Sequence, residues 1–150
     1  MKHVIYLAAG VLLTVAFVVL NATGGTIYEA MYYSQGFNDQ LYKLGMYGAI
    51  ALIVALVPWA VAALYYYVIN SVRFDRWWHW LALLAVVTVV TPVLCHAYVS
   101  SAFAHAGVDY ATQAAAFEWT NILIAPLMFV VASFSMRWWS SNCRHTPIPQ

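Results

Sequence analysis

Four long stretches of this sequence carry no charged side chain, and no other feature limits the possible folds as strongly. They run from Val4 to Leu20 (17 residues), from Leu44 to Asn70 (27 residues), from Trp80 to Ala104 and from Trp119 to Met136. At about 1.5 Å of rise per residue, stretches of this order cross a hydrocarbon core about 30 Å thick. Their apolar residues lie all round rather than alternating with a period of two, so they spell helices and not the strands of a closed barrel. The fold class that follows is an all-α membrane protein, a four-transmembrane-helix bundle in one domain, with spans at about 4–22, 44–69, 79–104 and 115–137.

Composition excludes the competing classes. Hydrophobic residues make up 65% of the chain and charged residues 7%, whereas roughly 25–35% of a soluble domain's surface is charged. Aromatic residues at 17% exclude a disordered chain, and a net charge of +1 excludes a polybasic nucleic-acid binder. Lys2 and His3 stand before the first apolar run, as they would in a secretory signal peptide. The run exceeds the roughly 7–15 residues of such a segment, however, and no clean small-x-small site follows it, so it reads as a retained first span.

Orientation follows from the basic residues. With the N-terminus in the cytoplasm, that side receives Lys2, Arg73, Arg76, Arg137 and Arg144, and the other side only Lys43. Four crossings then leave both termini inside, and the expected location is a bacterial inner membrane. Aromatic residues are expected to mark both interfaces, because amphipathic rings favour headgroup depth. The inner belt is Tyr65, Tyr66, Tyr67, Trp77, Trp78, Trp80, Trp138 and Trp139; the outer draws on Tyr28, Tyr32, Tyr33, Tyr42, Tyr47, Tyr110, Phe117 and Trp119. Between the first two spans, Thr26 followed by Glu29 has the capping-box pattern and predicts a short helix lying along the membrane surface. Asp109 is placed to cap a helix that begins near Tyr110.

Few residues are equipped for chemistry. Pro58, Pro92 and Pro126 fall within spans, and each frees the carbonyl four residues earlier; the ordinary consequence is a kink absorbed by neighbouring helices. His96 is the one imidazole well inside a predicted span, with Thr88, Thr91, Pro92 and Ser100 on the broad face that helical periodicity assigns to it. It is a candidate proton relay, haem or metal ligand, or quinone contact, against the plainer role of a neutral hydrogen-bonding histidine. His105, nine residues on and about 13 Å along the same helix, is its best partner, though too distant to share a mononuclear metal site. Glu118 stands at the expected lip of the fourth span. It is either a proton-exchange candidate or a solvated interface residue. With Glu29, Asp39 and Asp109 it would ring a pore mouth in an oligomer. Cys95 and Cys143 are predicted at different depths, and the chain has no CxxC pair, so they read as inert thiols. Gly45, Gly48, Ala51 and Ala55 read as a helix-packing seam.

These features favour a non-catalytic assembly subunit of a homo- or hetero-oligomeric membrane complex, with the lipid bilayer and a second copy or another membrane protein as partners and no nucleic acid. An oligomeric channel or small-solute or proton transporter is the first alternative. A haem- or quinone-contacting redox subunit is the second, with no cofactor or metal otherwise expected.

Overall fold

In a computed structural model of the chain, which describes residues 2–138, 140 and 141, every element is helical. They are α1 (Lys2–Gly24), α2 (Thr26–Met31), α3 (Gln35–Lys43), α4 (Met46–Ala63), α5 (Trp77–Ala106) and α6 (Ala111–Met136). One π-helical turn, Leu64–Ile69, prolongs α4, and a 3-10 turn at Val72–Phe74 leads into α5. Four helical segments are long and apolar enough to cross a membrane: His3–Gly24, Met46–Ile69, Trp77–Ala106 and Ala111–Met136. The helix runs through all three prolines without a break.

Helices α4 and α6 form the centre of the bundle, each touching the other three long helices, whereas α1 and α5 lie on opposite flanks. Half of the most apolar window of α6 is buried, against 11% of that of α1, so α6 is the core helix and α1 the most peripheral. Close approach is set by small residues: a Cβ at Gly10 of α1 would overlap the Ser135 hydroxyl of α6, and one at Gly48 of α4 would lie 3.2 Å from the Ala22 methyl. Two indole N–H groups bond across helices, Trp59 to Thr14 (3.0 Å) and Trp80 to Ser133 (3.1 Å). Such interhelical bonds contribute on the order of 0.6 kcal/mol each.

The beginning of α1 and the end of α6 meet at one end of the bundle. There the His3 and Trp138 rings lie 4.1 Å apart, and the Arg137 guanidinium sits 4.5 Å above the Trp138 ring. At the same end Asn70, in the connection between α4 and α5, accepts from the Ser141 backbone N–H at 2.9 Å. Four long helices joined in an up-and-down order require this arrangement.

The opposite end is closed by α2 and α3. The turn into α2 uses Gly25 at φ 62°, where a Cβ would lie 2.7 Å from the Tyr47 ring. The expected capping box does not form. Thr26 is the first helical residue and its hydroxyl donates back to the Leu20 carbonyl (3.2 Å). Asn21 of α1 does the capping instead, its Oδ1 accepting from the backbone N–H groups of Ile27 (3.2 Å) and Tyr28 (3.3 Å). Tyr28, Phe37 and Leu41 are fully buried, and α2 and α3 fold over this end of the bundle as a lid. Asp109 behaves as expected, accepting from the Ala111 backbone N–H at 3.2 Å as α6 begins.

The two expected aromatic belts need the largest correction. Tyr28, Tyr47 and Phe117 at the lid end are core residues, as are Tyr65, Tyr66 and Trp80 at the other. Tyr33, Tyr42 and Trp119, and Tyr67, Trp77 and Trp78, do point outward. Trp139 lies outside the described residues.

Candidate functional site

Thr88, Pro92 and His96 follow one another at intervals of four along α5 and therefore form a ridge on one side of that helix. On the facing side of α6, Ala115, Glu118 and Ile122 repeat at intervals of three and four. Because position 115 carries only a methyl group, the ridges do not close on each other. They leave a groove of about 590 Å³ along the outer surface of the bundle, with Val89, Val93 and Ala97 completing its walls. Its polar groups are Thr88, His96 and Glu118.

The three differ in how far their hydrogen-bonding capacity is used. The Thr88 hydroxyl turns back on its own helix and donates to the Leu84 carbonyl at 2.8 Å. His96 is half-buried; its Nε2 lies 3.3 Å from the Ser100 hydroxyl, and its enclosed Nδ1 has no partner. Glu118 is only 7% exposed, so it is not the solvated interface residue of the plainer expectation. The reason is that α6 begins at Ala111, which carries position 118 two turns into the helix and against α5. Its Oε2 accepts from Asn121 Nδ2 at 2.8 Å, while its Oε1 and the Asn121 Oδ1 are buried without partners.

The remaining candidates stand elsewhere. Thr91 does not share the face of His96; it is fully buried on the interior side of α5 with Cys95, and its hydroxyl has no partner. His105 is exposed near the end of α5, with Nδ1 2.7 Å from the Ser101 carbonyl, and is not part of the groove. Pro58 is buried in α4 and Pro126 half-buried in α6, both away from the groove. Of the acidic residues, Glu29 accepts from the Tyr47 hydroxyl (3.2 Å), Asp109 caps α6, Glu118 faces α5 and Asp39 is exposed. Cys143 lies outside the described residues. Among those residues, no three His, Cys, Asp or Glu side chains come together as a metal site would require.

Two neighbours of the site escape sequence reasoning. Asn121 orients the Glu118 carboxyl; its signal is the Glu-to-Asn spacing of three within an apolar helix, which places both on one face. Tyr28 of α2 packs its ring 5.2 Å from Phe117, and its buried hydroxyl has no partner. Burial pushes the phenol well above its ordinary range, with Cys95 and Glu118 acting in the same direction, so it stays a neutral donor. Nothing in a six-residue helix signals which side will be covered.

Chemically, the groove is an aliphatic-walled cleft with the His96 ring and the Glu118 carboxyl set in its wall, their unpartnered Nδ1 and Oε1 enclosed by the protein. The chain matches no protein-family model, no curated protein and no solved structure.

Proposed function

We propose that this chain is a multi-pass protein of a bacterial inner membrane, with both termini in the cytoplasm, whose groove between α5 and α6 binds a lipid-soluble small molecule carrying a hydrogen-bonding oxygen. The observation that carries this reading is the Glu118 carboxyl, nine-tenths buried at the groove with one oxygen unpartnered. An unsatisfied buried polar group costs about 1–3 kcal/mol, and more when charged. Polar side chains at membrane depth are functional by default, because lipid offers them nothing in return. A ligand that enters the groove from the bilayer offsets that cost once a side-chain rotation turns the enclosed Glu118 Oε1 toward it. The five-to-one division of basic residues, with both described chain ends at the end of the bundle that holds the 70–76 connection, supports the orientation.

The chain is then a binding component, able to work alone or as the non-catalytic subunit of an oligomer. Native mass measurement of the protein from lipid nanodiscs tests it. The wild type should retain a small-molecule adduct that Ala115→Phe, which fills the groove, has lost; identical spectra for the two overturn the reading. Reporters at residues 74 and 109 should report opposite sides of the membrane, and the same side would overturn the orientation.

A further inference from the structure

Four buried oxygen atoms have no hydrogen-bond partner among the described residues: the Tyr28 and Thr91 hydroxyls, Glu118 Oε1 and Asn121 Oδ1. Their residues are at most 7% exposed. Native cores leave few such atoms, and several in one place mark a missing partner.

The helix register brings them together. Helices α5 and α6 run antiparallel, and the bond from the Trp80 indole to Ser133 fixes their alignment. Fifteen residues from that bond along each helix, or about 22 Å, stand Cys95 and Glu118; eleven and twelve residues from it stand Thr91 and Asn121. Thr91 and Cys95 share the interior side of α5, and the Asn121 amide bonds to Glu118 on α6, so the three free oxygens of Thr91, Glu118 and Asn121 lie within about one turn of each other in depth. From the lid, the Tyr28 hydroxyl interacts electrostatically with both Cys95 and Glu118. The Tyr28 ring touches Tyr47 of α4 and Phe117 of α6 and so sets those two residues level. Four residues on from each, Ala51 comes level with Asn121 and brings only a methyl group.

The chemistry of these atoms sets the class of the missing partner. Asn121 Nδ2 is spent on Glu118 Oε2, so Asn121 Oδ1 and an ionised Glu118 Oε1 both accept and neither donates. Among the described residues no basic side chain acts on Glu118 to balance its charge. One carboxylate with amide and hydroxyl oxygens is the donor set of a hard cation, and its single charge balances a monovalent ion where a divalent one would keep a net charge in the core.

We infer that the core of the bundle binds a monovalent cation such as sodium, held by Glu118 Oε1, Asn121 Oδ1 and the Thr91 hydroxyl beneath the Tyr28 phenol. The site lies on the inner side of the Glu118 carboxyl and is separate from the groove. It uses the rotamer present in this structure, whereas a groove ligand requires the carboxyl to turn.

The experiment follows thermal unfolding of the full-length protein by circular dichroism, in nanodiscs of zwitterionic lipid, as choline chloride is replaced by sodium or potassium chloride at constant ionic strength. The wild-type midpoint should rise saturably by roughly 3–6 °C with one of the two ions. Radioactive sodium or rubidium, the latter standing for potassium, should bind at one ion per chain. In choline alone, Glu118→Gln and Thr91→Val should be as stable as the wild type or more so, since neither has an empty site to carry, and this shows that both fold. Glu118→Gln should lose the rise and the bound ion, and Thr91→Val should need at least tenfold more of the ion for half its effect. A midpoint indifferent to both ions means that the four oxygens meet internal water only, and overturns the inference. So does an equal rise in Glu118→Gln, which would place the ion elsewhere. The groove ligand is tested independently by Ala115→Phe, which leaves these oxygens in place.

Discussion

Asn38 donates a 2.7 Å hydrogen bond to the Tyr47 hydroxyl, joining α3 to the first turn of α4. The same hydroxyl donates to Glu29 Oε1 of α2 at 3.2 Å, and Asn38 Oδ1 accepts from the Ser34 backbone N–H at 2.7 Å. One phenol of α4 thus gathers both elements of the lid. Tyr47→Phe keeps the buried ring and removes the hub, leaving Asn38 short of an acceptor at a cost of about 1–3 kcal/mol. The expected result is faster hydrogen exchange across residues 26–43 with the long helices unaffected. Exchange that rises uniformly through the chain, or not at all, would show that the lid is held by its aromatic packing alone.

Thr91 and Thr88 differ in a way that substitution by valine separates. Thr91 buries its hydroxyl without a partner, so Thr91→Val should leave stability unchanged or raise it by up to about 1 kcal/mol. Thr88→Val loses the bond to the Leu84 carbonyl and should be neutral to mildly destabilising. Thermal unfolding in detergent compares them, and a large loss in Thr91→Val alone would contradict the assigned environment.

For Glu118, the amide isostere discriminates charge from shape. Glu118→Gln retains an oxygen for Asn121 Nδ2 and brings an N–H₂ group toward the unpartnered Asn121 Oδ1. Its thermal stability should equal or exceed that of the wild type. Glu118→Ala strands Asn121 and opens a void, and should cost about 1–3 kcal/mol. Equal losses in both variants would mean that the carboxylate charge itself stabilises the bundle.

At Gly10, α1 lies directly against the Ser135 side chain of α6. Gly10→Leu should destabilise by about 1–3 kcal/mol through overpacking and loosen α1 preferentially. Ala9→Leu, at an exposed position one residue earlier, should be neutral. A cysteine cross-linking assay between α1 and α6 reads the separation directly, and unchanged cross-linking in Gly10→Leu would remove the contact from consideration.

The four long apolar helices are legible in the sequence because a charge is so costly on a lipid-facing helix that its absence over such lengths marks a segment long and apolar enough to cross a bilayer. The ridge of Thr88, Pro92 and His96 is legible too, since a period of four survives any packing. Thr91 falls on the wrong side because a residue three positions from Thr88 lies near the edge of any face, and only the neighbouring helices decide which way that edge turns. Glu118 is misplaced for a related reason: a charge reads as the end of a span, and only the packing of α6 against α5 decides that its carboxyl is covered. The belts fail because an aromatic ring with one polar atom suits a wet interface and a hydrogen-bonded core equally well. Asn21 capping α2 from the preceding helix depends on the turn at Gly25, which folds the chain back on itself.

The π-helical turn that closes α4 accounts for how two adjacent tyrosines both reach the interior. Tyr65 and Tyr66 are 2% and 0% exposed, and their rings lie 4.9 Å apart. Consecutive side chains in an α-helix diverge by about 100°, a wide angle for two large rings that share one cavity. The wider winding of a π turn narrows that divergence and gives both rings the same shelter. Tyr65 thereby reaches across to donate to the Phe74 carbonyl at 2.6 Å, fastening the hairpin between the second and third long helices. Removing one residue from this turn would tighten the coil to ordinary pitch and swing one phenol out, unlatching the hairpin without altering a single atom of either tyrosine.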